Sequence, residues 1–360
     1  MTAPTRLVKM SARMSEKGPP VTEQDRRIGI RDVARAAGLS ITTVSFALNG
    51  TGQVSAASRQ KVRRIADELG YRPNAAARAL KSGRSRILGV AVAHRDSQPW
   101  QRTYMPYYRS IIAGAAIEAI EHGHAVAAIP VGRDGALDLS VPVDGLIVVD
   151  PGRRDPLLAA CLERGIPVVA DGRPLDRRFV DVPVVDSDIR GGMGEVLQHL
   201  VERRVRRATL LTGPQTDAYT LDTEHAFRAL ARQHAIDTEV RRIGRRESAV
   251  TVAREVLIGG PDAVHCLNET YGHAMLAAAS EAQLTAPDDL VITMMGESAQ
   301  AGSGNGASYL VLDPAEIGAQ CVRLLVDLLD GKQVESVTLP TRFVITPRAS
   351  TRRRSQPPAP

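Results

Sequence analysis

Residues 30–50 read IRDVARAAGLSITTVSFALNG, and the fall of their apolar positions decides the architecture of the first part of the chain. Ile30, Val33, Ala34 and Ala37 recur at the i, i+3, i+4, i+7 spacing of one helix face. Gly38 follows, tolerant of a left-handed backbone. Leu39 then supplies an apolar plug, and the Ser40 hydroxyl is placed to cap a second helix. That helix, residues 41–48, turns Val44, Ala47 and Leu48 inward, leaves Ile41, Thr42, Ser45 and Phe46 on its outer side, and ends at Asn49 and Gly50. The spacing predicts a tight helix-turn-helix.

Outward from this core, Ser55 caps a third helix running through Val62, Ile65, Ala66 and Leu69 to Gly70, with Arg59, Lys61, Arg63 and Arg64 on its outer face. The whole 360-residue chain carries a net charge of +6, unevenly spread. Residues 1–86 hold 17 Lys and Arg against 6 Asp and Glu, whereas the remainder holds 29 against 34. Basic character is therefore confined to the first quarter, which suits either a polyanion partner or a basic solubilising face.

The motifs IRDVA (30–34), TVS (43–45), LNG (48–50), VS (54–55) and LGYRPN (69–74) follow in a fixed order and distance. Together they resemble the LacI/GalR family of bacterial transcription repressors, continuously from about residue 30 to residue 90. A helical module for protein contacts is the competing use. The resemblance implies a recognition helix in the DNA major groove, its N-terminal residues at base edges and the third helix at phosphates. It assigns DNA contacts to Ser40, Ile41, Thr42, Thr43, Ser45, Phe46 and Asn49, and to Tyr71. The family often has arginine where Phe46 stands. Phenylalanine cannot take guanine bidentately, so Phe46 serves either apolar readout or the packing of its own module. The stretch RPNAAARALK (72–81) is too short for an isolated helix in water. It resembles the family's hinge helix, ordered between two subunits on the minor groove, with Asn74 and Ala77 at the DNA and Leu80 as the wedge between base pairs. A plain packing role in a linker is the alternative for Leu80.

Beyond residue 86 the pattern alternates short apolar runs with longer helical segments, the mark of βα units and a parallel sheet. The runs are 88–93, 125–129, 145–149, 167–170, 208–211, 263–267 and 290–295. Helices are expected at 108–121, 189–202, 223–234, 270–282 and 314–329. So long a stretch favours two lobes over one sheet. Local matches at VDGLI (143–147), RGIPV (164–168), LTGP (211–214), LNE (267–269) and LDP (312–314) resemble the periplasmic-binding-protein-like core of the same family. The implied fold is an all-α helix-turn-helix headpiece with a hinge helix, followed by a two-lobed α/β core. Its expected divisions are a disordered tail (1–27), the DNA-binding domain (28–73), hinge and linker (74–86), an effector-binding and dimerisation core (87–346) and a second disordered tail (347–360).

The resemblance implies a small effector, sugar-like by analogy, held between the lobes by a few polar side chains and an aromatic platform. Trp100, Tyr104, Asp171, Tyr219, Asp222, Thr223, Glu269 and Glu297 are the expected contacts. Tyr107 and Tyr108 join the aromatic cluster, which serves either ligand stacking or helix packing. The core departs from the family as well, and its loop 301–306 is unusually rich in glycine. The arginine that usually follows the Gly-Pro loop falls at Thr223, its acidic partner is the longer Glu269, and residues 131–143 are too few for the usual helix.

Other chemistry is disfavoured. Cys161, Cys266 and Cys321 are isolated, and His122 and His124 lack neighbouring ligands, so neither a disulfide framework nor a metal site is expected. Gly302, Gly304 and Gly306 do not join a strand to a helix as a dinucleotide site requires, and no Gly-x-Ser-x-Gly element is present. Asp171, Asp186 and Asp188 suit polyol binding better than acid–base work. No apolar run approaches a membrane span, and the interrupted N-terminus argues against a signal peptide, so a cytoplasmic protein is expected. The reading is a homodimeric repressor of a near-palindromic double-stranded operator, with a small-molecule effector, no cofactor and no enzymatic activity. The competing class is a cytoplasmic sugar-binding or sugar-modifying α/β protein whose N-terminal helical module is incidental.

Overall fold

The computed structural model describes residues 28–72, 83–92, 98–131, 140–297 and 304–346, with the side chains of 98–104 left undescribed. The chain forms two compact units, Met1–Ser82 and Gly83–Pro360.

In the first unit three helices pack in sequence: α1 (Ile30–Ala37), α2 (Ile41–Asn49) and α3 (Ala56–Glu68). Gly38 ends α1 with φ +66°, which favours glycine, and the Ser40 and Ser55 hydroxyls cap α2 and α3 by accepting from Thr43 N and Ser58 N. The apolar face read from the sequence is the core: Val33, Ala34, Ala37, Val44, Ala47, Val62, Ile65 and Ala66 are buried together.

The second unit holds two six-stranded sheets. The strands are β1 (Ile87–Val92), β2 (Ala125–Ala128), β3 (Gly145–Val149), β4 (Val168–Asp171), β5 (Val184–Ser187), β6 (Arg207–Thr212), β7 (Asp237–Arg242), β8 (Ala263–Cys266), β9 (Val291–Glu297), β10 (Ser308–Leu312), β11 (Val337–Leu339) and β12 (Arg342–Val344). The first sheet has the order β11-β5-β4-β3-β1-β2 and is parallel throughout. The second has the order β12-β10-β9-β8-β6-β7, with β12 antiparallel. The helices are α4 (Gln98–Glu121), α5 (Pro156–Glu163), α6 (Ile189–Glu202), α7 (Ala218–Gln233), α8 (Ala249–Ile258), α9 (Glu269–Glu281) and α10 (Pro314–Leu329).

Both faces of the first sheet are covered, so its strands are apolar on both sides: Ile147 and Val149 join one core while Leu146 and Val148 join another. The chain passes between the lobes three times. It leaves the first sheet after β5, returns with α10 and β11, and leaves again for β12. Helix α10 lies against α4 with little between the backbones. A Cβ on Gly114 would sit 1.9 Å from the Ala315 carbonyl oxygen, and one on Gly318 would sit 2.1 Å from that of Ile111. This contact fixes the position of α4.

Helices α6 and α10 coincide with the spacing in the sequence, whereas α4 and α7 begin earlier than it suggests. Helix α4 runs through Pro106, and Asp217 starts α7 by accepting from Thr220 N. Strands β5, β7, β10, β11 and β12 and helices α5 and α8 complete the unit beyond the runs read in advance. Strand β7 is an edge rich in charge, DTEVRR, which hides it from an apolar search.

Candidate functional site

Two surfaces carry chemistry. On the headpiece, the first turn of α2 is open: Ile41 is 46% exposed, and Ser40, Thr42 and Asn49 are exposed beside half-buried Thr43 and Ser45. Ser40 Oγ and Thr43 Oγ1 lie 2.8 Å apart, while Asn49 Nδ2 donates weakly to Ser45 Oγ at 3.3 Å. The row is thus polar, exposed and held in register by its own side chains. Phe46 lies outside the headpiece core. Its ring rests on Gly52, where a Cβ would come within 2.7 Å of Cδ2, and it stays 36% exposed. Gly52 itself has φ +69°, and its carbonyl accepts from Arg59 Nη2. Arg59 therefore pins the α2–α3 turn, leaving Lys61, Arg63 and Arg64 on the exposed basic face. Tyr71 packs on the headpiece core. Asn74, Ala77 and Leu80, with the rest of the expected hinge helix, lie outside the described residues.

The second surface is a cavity of about 280 Å³ in the core. One wall is α4, which brings Pro106, Tyr107 and Tyr108. The tyrosine rings meet edge to face, 5.8 Å between centroids. Tyr108 donates to Asp150 Oδ2 at 3.0 Å, and Tyr107 donates to Asp171 Oδ2 at 3.2 Å. The opposite wall comes from the second lobe. Gln215, Asp217 and Tyr219 stand at the start of α7, Asn268, Glu269, Thr270 and His273 at the start of α9, and Met295, Gly296 and Glu297 at the end of β9. Tyr219 donates to the Leu267 carbonyl at 2.6 Å. Glu269 Oε1 accepts from Glu297 N at 3.0 Å, an approach that needs Gly296, where a Cβ would lie 2.4 Å from that oxygen. The site occupies the carboxyl ends of parallel strands, where α/β proteins gather ligand-binding groups.

Two contacts bridge the lobes at the cavity. Ser110 of α4 donates to Glu297 at 2.9 Å, and Arg173, beyond β4, pairs with Asp222 of α7 at 2.7 Å. Burial, reinforced by the Asp150 charge, pushes the Asp171 carboxyl well up, against the pull of the Tyr107 hydroxyl. Burial also raises Glu269, opposed by the Glu297 amide, and raises the Tyr107 and Tyr219 phenols.

Of the expected effector contacts, Tyr219, Glu269 and Glu297 line the cavity. Asp171 is 3% exposed and stands one layer behind, holding Tyr107. Thr223 and Asp222 are not among the residues lining the cavity. They lie one turn further along α7, about 5 Å past Tyr219. There the fully buried Thr223 donates to the Tyr219 carbonyl at 2.8 Å, and Asp222 forms the Arg173 bridge. The side chains of Trp100 and Tyr104 lie outside the described residues. Sequence reading missed Asp150, Gln215, Asp217, Asn268, Thr270 and His273. Asp150 directly follows the apolar run 145–149, and Asp217 and Asn268 are the first capping residues after two other runs. Extending each run to its next polar residue would have found Asp150 and Asn268, and extending it to the cap of the next helix would have found Asp217.

Comparison with known proteins places both surfaces in context. Residues 29–74 match the model for bacterial regulatory proteins of the lacI family, and residues 197–351 match that of a periplasmic binding protein-like domain. The HTH-type transcriptional regulator CelR of Thermobifida fusca is 31% identical over 331 residues, covering 88% of this chain and 96% of its own. Catabolite control protein A of Staphylococcus epidermidis is 26% identical over 332 residues, covering 88% and 97%. Among solved structures, a CelR–cellobiose complex aligns with TM-score 0.62 at 26% identity over 88% of this chain and 98% of that one. A Lac repressor dimer bound to operator and the anti-inducer ONPF aligns with TM-score 0.75 at 22% identity over 89% and 98%, a likeness of fold.

Proposed function

Since the chain belongs to the lacI family of bacterial regulatory proteins, a family of DNA-binding transcription regulators, we propose how its two surfaces divide the work. The protein is a cytoplasmic, non-enzymatic repressor that binds a near-palindromic operator as a homodimer. Each headpiece reads one half-site through the first turn of α2, and the cleft of the core holds a hydroxyl-rich, sugar-like effector. The observation that carries this reading is the exposed, capped turn of Ser40, Ile41 and Thr42 on one unit, with an aromatic, carboxylate-lined cavity built by both lobes of the other. Ile41 is suited to a thymine methyl, and Thr42 and Ser45 to base edges or phosphates. Among the described residues no helix is long and apolar enough to cross a membrane.

The cleft supplies a lever. Its walls belong to different lobes, and the Ser110–Glu297 and Arg173–Asp222 contacts cross between them, so a ligand that alters those contacts changes the lobe angle. Passed to residues 74–86 as a hinge, that change alters DNA affinity by a coupling of about 1–3 kcal/mol.

The test is binding to duplexes selected from a random pool, measured against salt. A selected duplex should be held at least about 10³-fold more tightly than a scrambled one, with affinity falling steeply as salt rises. No discrimination would refute the reading. Leu80→Ala should weaken specific binding by roughly tenfold or more while sparing non-specific binding, and equal losses would remove Leu80 as the wedge.

A further inference from the structure

The outer face of α2 is neutral and partly apolar. The helix reads ITTVSFALN and carries no lysine, arginine, glutamine, aspartate or glutamate. In the major groove guanine is taken bidentately by arginine or lysine, and adenine by asparagine or glutamine, so Asn49 is the one side chain of α2 able to form such a pair. It stands in the last turn of the helix, with its Nδ2 turned onto Ser45 Oγ. At the other end, the Ser40 and Thr43 hydroxyls are engaged with each other.

What this face offers instead is hydrocarbon. Ile41 is 46% exposed and Phe46 36%. From ideal helix geometry they stand roughly 140° apart around α2, with Ser45, Asn49 and Thr42 between them, and about 7.5 Å apart along its axis. That distance is about two steps of a DNA strand at 3.4 Å each. Phe46 is also held in place. The edge of its ring from Cγ to Cε2 lies on Gly52, which has φ +69° and no side chain to keep the turn away. One edge of the ring is therefore backed by the turn, while the ring stays partly open to solvent outside the headpiece core. A lone exposed apolar residue is ordinary on a protein surface, but these two flank a row of polar side chains and gain free energy from anything apolar that covers them. The apolar group of the major groove is the C5 methyl of thymine. Cytosine has a hydrogen at that place, and 5-methylcytosine has the methyl.

We infer that α2 reads its half-site through the C5 methyl groups of pyrimidines, Ile41 and Phe46 each covering one. The inference rests on the reading of α2 as the helix that meets the operator, and it names the group on the DNA that is recognised. At two positions of the half-site this selects thymine, or 5-methylcytosine, over cytosine. Methylation of a cytosine at either position then raises affinity, which makes the methylation state of the DNA an input to the headpiece beside any ligand in the cleft.

The test uses the full chain and the duplex selected from a random pool. Each thymine of one half-site is replaced in turn by deoxyuridine, which removes the methyl and nothing else. At two positions the replacement should weaken specific binding about fourfold, the scale of one buried methyl. This arm needs no protein variant. Ile41→Ala should abolish the effect at one of the two positions and Phe46→Ala at the other, with the fold of each variant checked by thermal melting. A ring that only braced the turn would instead lower affinity for the thymine and deoxyuridine duplexes alike. When either thymine is exchanged for cytosine, 5-methylcytosine should bind about fourfold more tightly than cytosine. Fewer than two methyl-sensitive positions, a sensitivity that survives alanine at Ile41 or at Phe46, or 5-methylcytosine held no better than cytosine overturns the inference. A selected duplex bound no more tightly than a scrambled one sinks the inference and the regulatory reading together. A duplex that is discriminated but indifferent to its methyls sinks the inference and keeps the regulator.

Discussion

The headpiece and the core hold their charges in opposite ways. On α3, Lys61 and Arg63 stand in water and Arg64 pairs only with the exposed Glu68, so this charge costs little to keep and faces any polyanion. In the core, Asp171 is 3% exposed and Glu269 is drawn against the backbone at Gly296, so charge is carried inward and held by hydrogen bonds. The first arrangement favours general attraction of a polyanion, and in the proposed reading it leaves specificity to the neutral side chains of α2. The second favours selection, because a buried carboxylate penalises every ligand that fails to satisfy it.

Acid should separate the two units most strongly. The headpiece residues 28–72 contain no histidine, whereas the core buries His199 and His265, and burial lowers their pKa values to about 4 and about 3. A depressed histidine takes up its proton more readily when unfolded. Core stability is therefore undiminished above pH 6.5 and declines as pH falls from there toward 4. The decline is about 1.4 kcal/mol per pH unit for each histidine, or roughly 4 kcal/mol for both at pH 5. The raised carboxyls of Asp171, Asp186 and Glu269 act in the other direction and offset part of it. Thermal melts across this range should show His199→Gln flattening the slope by about one proton. An unchanged slope would remove His199 from the explanation.

Next in size is the α2–α3 turn. Gly52→Ala forces a Cβ toward the Phe46 ring at a positive φ, so the headpiece should lose about 1–3 kcal/mol, read as faster hydrogen exchange in α2 and α3. Ligand binding by the core should not change. An undisturbed headpiece would mean that Phe46 is free to turn away. The smallest effect belongs to the Arg173–Asp222 bridge, whose side chains are 47% and 43% exposed. Asp222→Asn should weaken ligand binding by no more than about fivefold, the scale of an exposed ion pair. A loss of a hundredfold would place Asp222 in direct contact with the ligand after all.

The contrast between the units also explains what the sequence could convey. In the headpiece each element is local. Gly38, Ser40 and Ser55 stop and start helices whose burial repeats every third or fourth residue, so α1, α2 and the start of α3 were legible from end to end. In the core, α6 and α10 were equally plain, each introduced by a capping aspartate, Asp188 and Asp313. The cavity was not plain, because its described lining comes together only when six separated segments meet. Tyr219, Glu269 and Glu297 were reached through resemblance. Asp150 and Asn268 look in the sequence like ordinary polar residues closing a strand. Arg59 shows the same limit on a small scale: its spacing puts it with the basic face, and only the fold shows its guanidinium turned back to Gly52.

The most direct measurement is the affinity of the full chain for its selected duplex, with and without a saturating ligand whose binding depends on Glu269 and Glu297. A cleft that governs the headpiece predicts discrimination of at least about 10³-fold against a scrambled duplex, and a shift in specific affinity of roughly fivefold or more when the ligand binds. Equal affinity for both duplexes, or a specific affinity that the saturated cleft leaves unchanged, would contradict it.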